Sequence, residues 1–334
     1  MGSKERAMLP KVLVTRPLPG DALERLRREP LDLRLWEDEE PPPRPAFLAS
    51  LSGVEGLLCL LTEGVDEEAL AAAGSALRVV STMAVGYDNI AVAACTRRGI
   101  PVGHTPGVLT ETTADLAFAL LLAAARRVVE AAEYVKAGRW RAWSPTALLG
   151  WEVHHATLGI VGLGRIGLEM AKRARGFDMR VLYHSRSRRP EAESALGLTF
   201  VPALHELLAA TDFVSLHVPL TADTRHLIGA AELRAMKPTA VLINTARGPV
   251  VDQRALYAAL RAGTIAAAGL DVTDPEPLPA GDPTLALPNV LVLPHIGSAS
   301  LQTRAKMAAM AVDNLLAGLR GERLPHCVNP EVYR

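Results

Sequence analysis

The sequence of 334 residues has little cysteine, no long apolar run and no excess of either charge. Its three cysteines, Cys59, Cys95 and Cys327, form no CxxC pair and no other metal-ligand spacing. This pattern argues against a disulfide framework and against a bound metal, and it indicates plain thiols in a reducing compartment. The 36 Lys and Arg residues balance 36 Asp and Glu residues. Net charge therefore gives no support for nucleic acid or an anionic membrane as a partner.

The longest apolar run, from Leu116 to Ala125, has ten residues, whereas a membrane-spanning helix needs about 20. The N-terminal residues Met1 to Arg6 are polar and lack the apolar core of a secretory signal peptide. We therefore expect no membrane partner and a cytoplasmic location.

Short apolar runs alternate with helical patterns along the chain, which predicts an α/β fold with parallel sheets covered on both faces. The chain is longer than one core usually serves, so we expect two domains. The predicted strands are 12–14, 31–36, 54–61, 77–81, 158–161, 179–183, 213–218, 240–244, 265–270 and 290–293. The clearest predicted helices are 21–28, 113–136, 168–175 and 301–319.

A glycine motif, GLGRIG, follows the predicted strand 158–161 and precedes a helical pattern. Gly162 would permit the tight turn, Gly164 would let the backbone approach a pyrophosphate, and Gly167 would let helix and strand pack closely. The first N–H groups of the helix would attract the phosphates. Alone, the motif is often a plain turn, but this strand and helix context favours dinucleotide binding.

The second strand of this unit, 179–183, ends in the run HSRSRR, where NAD-binding proteins often have an acid for the ribose 2′-hydroxyl. An acid would repel a 2′-phosphate, whereas Arg and Ser offer positive charge and hydrogen-bond donors. We therefore predict NADP(H) as the cofactor. The alternative is a solvated basic loop without a ligand.

Three polar residues, Arg247, Glu276 and His295, follow predicted strands at one edge of the sheet. An arginine there suits a bidentate clamp on a substrate carboxylate. A histidine can donate a proton to a carbonyl oxygen as hydride arrives, and a nearby carboxylate would fix its orientation. Asp271 is a second candidate acid. Taken singly, each has an ordinary structural explanation; together, behind a dinucleotide motif, they indicate catalysis.

Two loops have open interpretations. Val85 and Gly86 follow the strand ending near Ser81, and their backbone N–H groups could bind a carboxylate. A simple strand-to-helix turn explains them equally well. Trp140 and Trp143 lie in a loop, where indoles usually pack but could cover a pocket or reach a neighbouring subunit.

Together these features resemble the D-2-hydroxyacid dehydrogenase family, and within it the glyoxylate/hydroxypyruvate reductases. The resemblance spans almost the whole chain, from Val12 to about Pro325. It is carried most clearly by the stretches 57–61, 81–86, 162–167, 266–272 and 293–299.

The resemblance implies a Rossmann-type coenzyme domain, 108–298, inserted into a flavodoxin-like substrate domain, 9–107 with 299–334. It implies Arg247, Glu276 and His295 as the catalytic residues. The substrate would be bound by Val85, Gly86, Arg247, His295, Ser298 and Trp143, the last from the partner in a homodimer. The cofactor would be bound by Gly162, Gly164, Arg165, Ile166, Gly167, Arg186, Ser187, Arg188, Arg189, Pro219, Thr245, Asp271 and Gly297.

The resemblance also implies NADPH-dependent reduction of small 2-keto acids, hydroxypyruvate to D-glycerate and glyoxylate to glycolate. One alternative is another enzyme of the family, such as a phosphoglycerate or broad 2-ketoacid dehydrogenase, although NAD-preferring members usually have the acid that is missing here. The other is a non-catalytic binding protein, because transcriptional corepressors use the same fold and keep a similar triad.

Overall fold

The computed structural model describes residues 9–334, so the polar N-terminal stretch discussed above lies outside the described residues. The chain divides into two compact units. One combines the chain up to Leu109 with Ala299–Arg334, and the other is Thr110–Ser298. The divisions predicted from the sequence follow Gly107 and Ser298.

Strands and helices alternate along the described chain. The strands are β1 Lys11–Val14, β2 Asp32–Leu35, β3 Gly56–Cys59, β4 Val79–Thr82, β5 Val102–Gly103, β6 Thr157–Val161, β7 Arg180–His184, β8 Thr199–Phe200, β9 Phe213–Leu216, β10 Val241–Asn244, β11 Ala267–Leu270 and β12 Val290–Val292. The helices are α1 Ala22–Arg27, α2 Arg44–Ser50, α3 Glu67–Ala73, α4 Val92–Arg97, α5 Thr110–Ala125, α6 Val128–Lys136, α7 Arg165–Arg175, α8 Pro190–Leu196, α9 Leu204–Ala210, α10 Ala230–Ala235, α11 Gln253–Ala262 and α12 Leu301–Leu319.

The unit built from both chain ends contains a five-stranded parallel sheet in the order β2-β1-β3-β4-β5. This is the flavodoxin-like order. Alternate residues of each strand face opposite sides: Leu13 and Leu57 pack with α2, α3 and α4, whereas Val12 and Leu58 pack with α1 and α12. Gly318 lets α12 lie directly on β4, since an added Cβ would come within 2.5 Å of the Val79 side chain.

The unit Thr110–Ser298 contains a seven-stranded parallel sheet in the order β12-β11-β10-β9-β6-β7-β8. Counted from β6, this is the Rossmann order 3-2-1-4-5-6 with one further strand. Ile160 and Ile243 face the core that α5 and α7 cover, and Val161 and Leu242 face the core that α9, α10 and α11 cover. The predicted α/β class and Rossmann-type coenzyme domain are confirmed.

The single long helix predicted over 113–136 is wrong. It is two helices, α5 and α6, separated at Arg127, whose φ of 54° is left-handed. The carbonyl of Ala125 accepts the backbone N–H of Trp151 at 2.9 Å, and Arg127 pairs with Glu130 in the first turn of α6. A backbone contact distant in sequence therefore accompanies the end of the helix, although the apolar pattern continues.

Two other differences concern element ends. Helix α7 begins at Arg165, three residues before the predicted start, so it follows the glycine turn directly. Strands β5 and β8, of two residues each, were not predicted because they are too short to show a period. Across residues 9–334, none of the helices is both long enough and apolar enough for a membrane span.

Candidate active site

The glycine turn between β6 and α7 has the geometry of a phosphate-binding turn. Gly162 has a φ of 96°, and a Cβ there would lie 2.8 Å from the His217 backbone. A Cβ on Gly167 would lie 2.4 Å from the Gly162 carbonyl oxygen, so its absence lets α7 pack against the turn. At Gly164, the N-cap of α7, an added Cβ would meet nothing within 4 Å. Space is therefore open beside the first N–H groups of the helix, where Arg165 and Ile166 stand.

A second observation fits a dinucleotide. Thr245 follows β10, and its Oγ1 is buried without a hydrogen-bond partner in the described part of the chain. A buried hydroxyl usually finds a partner, and one without a protein partner can bind a ligand. Pro219 follows β9 and is exposed. Together with the open space at Gly164, the residues at these strand ends fit a bound nicotinamide dinucleotide.

The basic loop after β7 is exposed from Arg186 to Arg189 and is attached to α8 by one acid. Glu193 accepts hydrogen bonds from the Arg188 guanidinium at 2.7 Å and from the Tyr183 hydroxyl at 2.7 Å. These bonds, Arg188 first, lower the pKa of Glu193 to about 2. The Tyr183 oxygen also accepts the backbone N–H of Arg189 at 2.7 Å.

Arg188 therefore has its charge engaged by Glu193. Within residues 9–334, the guanidinium groups of Arg186 and Arg189 form no ion pair. Ser187 accepts, through its carbonyl, the hydroxyl of Ser185 at 3.1 Å. The loop thus presents two uncommitted positive side chains on a fixed backbone.

The structure brings Glu276 and His295 into direct contact. Glu276 Oε1 lies 2.5 Å from His295 Nδ1, and the two side chains are 32% and 25% exposed. Because an ionised carboxylate only accepts hydrogen bonds, Nδ1 must carry the hydrogen. This leaves Nε2 as the ring atom that can hold or release a proton.

His295 has a φ of 55°, a left-handed conformation that is uncommon outside glycine. Asp271, at the end of β11, stabilises this turn. Its carboxylate accepts the backbone N–H groups of Ile296 and Gly297, each at 2.7 Å, and its carbonyl accepts the N–H of His295 at 3.0 Å. Burial raises the pKa of Asp271, although the amide bonds oppose the shift. An unusual backbone conformation supported in this way is typical of a functional site.

Arg247 lies in a turn that Asn244 closes. The Asn244 side chain accepts the N–H of Ala246 at 3.0 Å and donates to the Arg247 carbonyl at 2.9 Å. The next residue, Gly248, packs against the loop of Glu276, since a Cβ there would lie 1.8 Å from the Thr273 carbonyl oxygen. The carboxyl ends of the neighbouring strands β10, β11 and β12 thus assemble the three predicted residues on one edge.

In the other unit, Val85 and Gly86 follow β4, as predicted. The Val85 carbonyl lies 3.0 Å from His104 Nδ1, and the His104 ring packs edge-on against Tyr87 with 5.6 Å between centroids. Ser298 is the half-buried last residue of the Thr110–Ser298 unit.

Trp143 is 82% exposed. It borders a surface cavity of about 550 Å³ whose other walls include Arg126, Trp151 and Phe177, and none of the Arg247, Glu276 and His295 cluster. Within the described residues of this chain, the structure does not bring Trp143 to that cluster.

Two side chains that shape the site, Asn244 and His104, were not predicted from the sequence. The role of Asn244 could have been predicted, because an Asn at the end of a buried strand often closes a turn through its own side chain. The role of His104 could not have been predicted, because its contact with Val85 joins the loop after β4 to the segment after β5. The described residues contain no cluster of three His, Cys, Asp or Glu side chains that could hold a metal ion.

Comparison with known proteins places this geometry in a family. Residues 118–297 match the model described as D-isomer specific 2-hydroxyacid dehydrogenase, NAD binding domain. The chain belongs to this family. It is 54% identical over 328 residues, 98% of both chains, to the glyoxylate reductase of Korarchaeum cryptofilum. The chain is therefore a nicotinamide-dependent oxidoreductase that acts on 2-keto and 2-hydroxy acids.

Two solved structures agree over nearly the whole fold. The TT0316 protein of Thermus thermophilus superposes with a TM-score of 0.89 at 50% identity, covering 95% of this chain and 99% of that one. An NADPH-dependent glyoxylate/hydroxypyruvate reductase from Sinorhizobium meliloti, in complex with NADP and malonate, gives a TM-score of 0.82 at 35% identity, covering 97% and 98%.

Proposed function

We propose that this dehydrogenase reduces glyoxylate and hydroxypyruvate with NADPH, giving glycolate and D-glycerate. The observation that carries the proposal is the contact between Glu276 and His295 at 2.5 Å, at the carboxyl edge of a Rossmann sheet. When bound, the nicotinamide supplies hydride to the carbonyl carbon of the keto acid.

His295 supplies the proton. With Nδ1 bonded to Glu276, the protonated ring donates from Nε2 to the carbonyl oxygen as it gains negative charge. In the reverse direction the same nitrogen accepts the proton of the hydroxy acid. Glu276 stabilises the charged ring between these steps and keeps Nε2 directed toward the substrate.

Arg247 binds the substrate carboxylate, and the backbone N–H groups of Val85 and Gly86 are further carboxylate donors. Support for this role of the arginine comes from its turn. The Asn244 side chain fixes the turn, and Gly248 packs it against the loop of Glu276. An arginine whose backbone is fixed in this way orients the keto acid so that its carbonyl oxygen lies near Nε2 of His295. Ser298 completes the substrate contacts.

The coenzyme is held by the glycine turn with Arg165 and Ile166, and by Pro219, Thr245, Asp271 and Gly297. Thr245 supports this part best, because its buried hydroxyl has no partner among the described residues. The preference for NADPH rests on Arg186, Ser187 and Arg189, with Arg188 supporting the loop through Glu193. No acid stands at the end of β7 to repel a 2′-phosphate.

The test is the initial rate of oxidation of NADPH and NADH with glyoxylate, hydroxypyruvate and pyruvate at matched concentrations. We expect NADPH to be preferred and pyruvate to be the poorest substrate. A preference for NADH would overturn the 2′-phosphate assignment alone. Faster turnover of pyruvate would favour a broad 2-ketoacid dehydrogenase. Coenzyme binding without turnover of any keto acid would favour a non-catalytic binding protein.

The homodimer, the role of Trp143 in the partner's site and the cytoplasmic location stay predictions. Trp140, Trp143 and Trp151 are 65%, 82% and 44% exposed, which supports a protein contact at this surface.

A further inference from the structure

The loop after β4, residues 83–89, is attached to its surroundings along its length, including a bond from the Thr105 N–H to the Ala84 carbonyl at 2.9 Å. At its start the Met83 N–H donates to the Cys59 carbonyl at 3.0 Å. In its middle the Val85 carbonyl lies 3.0 Å from His104 Nδ1. At its end stands Asn89. The proposed carboxylate-binding amides of Val85 and Gly86 lie between the first and last of these points.

The side chain of Asn89 joins this loop to the preceding turn, residues 60–64. Its amide nitrogen donates to the Leu60 carbonyl at 3.0 Å and to the Glu63 carbonyl at 2.8 Å. The Asn89 carbonyl accepts the N–H of Val65 at 2.9 Å. Both hydrogens of the amide are therefore donated, and they connect the loop after β4 to the turn after the neighbouring strand β3.

The turn that Asn89 binds is itself fixed by a buried acid. The Glu63 side chain is 2% exposed, and its carboxylate accepts from Thr15 Oγ1 at 2.6 Å, Arg16 Nη1 at 3.1 Å and the Leu60 N–H at 2.8 Å. Arg16 is buried as well. A buried ion pair with its oxygens satisfied keeps one arrangement, so the turn after β3 is held firmly against the residues that follow β1.

We propose that Asn89 is a positioning residue for the substrate carboxylate. Its side chain bonds the loop that carries the Val85 and Gly86 amides to the firmly held turn around Glu63, and so restricts the motion of that loop. This inference rests on the proposed function, in which those amides bind the carboxylate. Removing the side chain loosens the amides, whereas the coenzyme-binding residues belong to the other unit and keep their contacts.

Asn89→Ala should therefore raise KM for glyoxylate roughly 5- to 50-fold, the size expected for two lost hydrogen bonds. The dissociation constant of NADPH should change less than about twofold. Asn89→Ser keeps one donor and should give an intermediate KM, and this milder variant also serves if the alanine variant does not fold.

Asn289 provides a matched control. Its side-chain amide also donates to two carbonyls, Leu260 at 3.2 Å and Ala266 at 3.0 Å, but it precedes β12 and so lies at the opposite sheet edge from His295. Asn289→Ala loses the same kind of contact and should leave KM for glyoxylate within about twofold of wild type.

Two results would overturn the inference alone: an active enzyme whose KM is unchanged in Asn89→Ala, or an equal rise of KM in both alanine variants. A wild-type protein inactive with glyoxylate and hydroxypyruvate would refute the proposed function, and the inference with it. KM rising in the order Asn, Ser, Ala, with constant NADPH affinity, would support it.

Discussion

Replacing Glu276 by glutamine changes one charge at the centre of the proposed proton transfer and little else. The carboxylate lies 2.5 Å from His295 Nδ1 and is 32% exposed. Glutamine has nearly the same shape, but it is neutral and can present its NH₂ group to the ring. The ring is then no longer stabilised when charged, and Nε2 is no longer fixed as the proton-carrying atom.

The size of the effect follows from the bond that is lost. A hydrogen bond to a charged group contributes about 1.5–3 kcal/mol. Since each 1.36 kcal/mol is about tenfold in rate, we expect kcat/KM for glyoxylate to fall about 10- to 150-fold. The NADPH dissociation constant should not change, because Glu276 holds the ring and not the coenzyme.

The assay is steady-state NADPH oxidation with glyoxylate, together with NADPH binding and thermal unfolding. Glu232→Gln is the matched control, because Glu232 also pairs with a histidine, His205, at 3.1 Å, on the surface between α9 and α10. It should keep wild-type kinetics. If Glu276→Gln kept wild-type kcat/KM, or if both variants lost activity equally, Glu276 would not be the residue that supports His295.

Three further predictions concern the coenzyme loop, the Arg247 turn and acid stability. Arg186→Ala should raise KM for NADPH about 10- to 100-fold and leave KM for NADH unchanged. Arg188→Ala should raise KM for NADPH less, because Arg188 supports the loop. If steady-state assays showed equal effects of the two substitutions, these separate roles of Arg186 and Arg188 would be wrong. Gly248→Ala places a Cβ 1.8 Å from the Thr273 oxygen, so thermal unfolding should show a loss of about 1–3 kcal/mol with reduced kcat, and an unchanged Tm would contradict it. Burial lowers the pKa of His217 from 6.5 to about 4, so the unfolded chain binds the proton more readily and stability falls as pH drops from 6.5 toward 4. His217→Gln should weaken this fall in Tm, and an identical pH dependence would refute it.

The architecture was predictable because its signal is periodic. Buried parallel strands such as Val241–Asn244 are continuous apolar runs, and their alternation with helices determines the fold class. The edge that holds Arg247, Glu276 and His295 was predictable for a related reason, since the carboxyl ends of parallel strands face one side. The roles of Gly162, Gly164 and Gly167 were predictable because each follows from a local requirement of the backbone.

Contacts between segments distant in sequence were not predictable in this way. The break at Arg127 accompanies a bond from Trp151 to Ala125, and the apolar pattern gives no sign of it. In the sequence Asn89 is one polar loop residue among many. Only the structure shows that its side chain donates to the Leu60 and Glu63 carbonyls of another turn.

The proposed mechanism requires His295 to deliver the proton during reduction of a 2-keto acid. Its most direct test is single-turnover oxidation of NADPH by glyoxylate in wild type and His295→Asn, because asparagine tolerates the left-handed backbone at this position. We expect the step to be about 10²–10⁴-fold slower in the variant, with NADPH binding unchanged. An equal rate in the two proteins would contradict it.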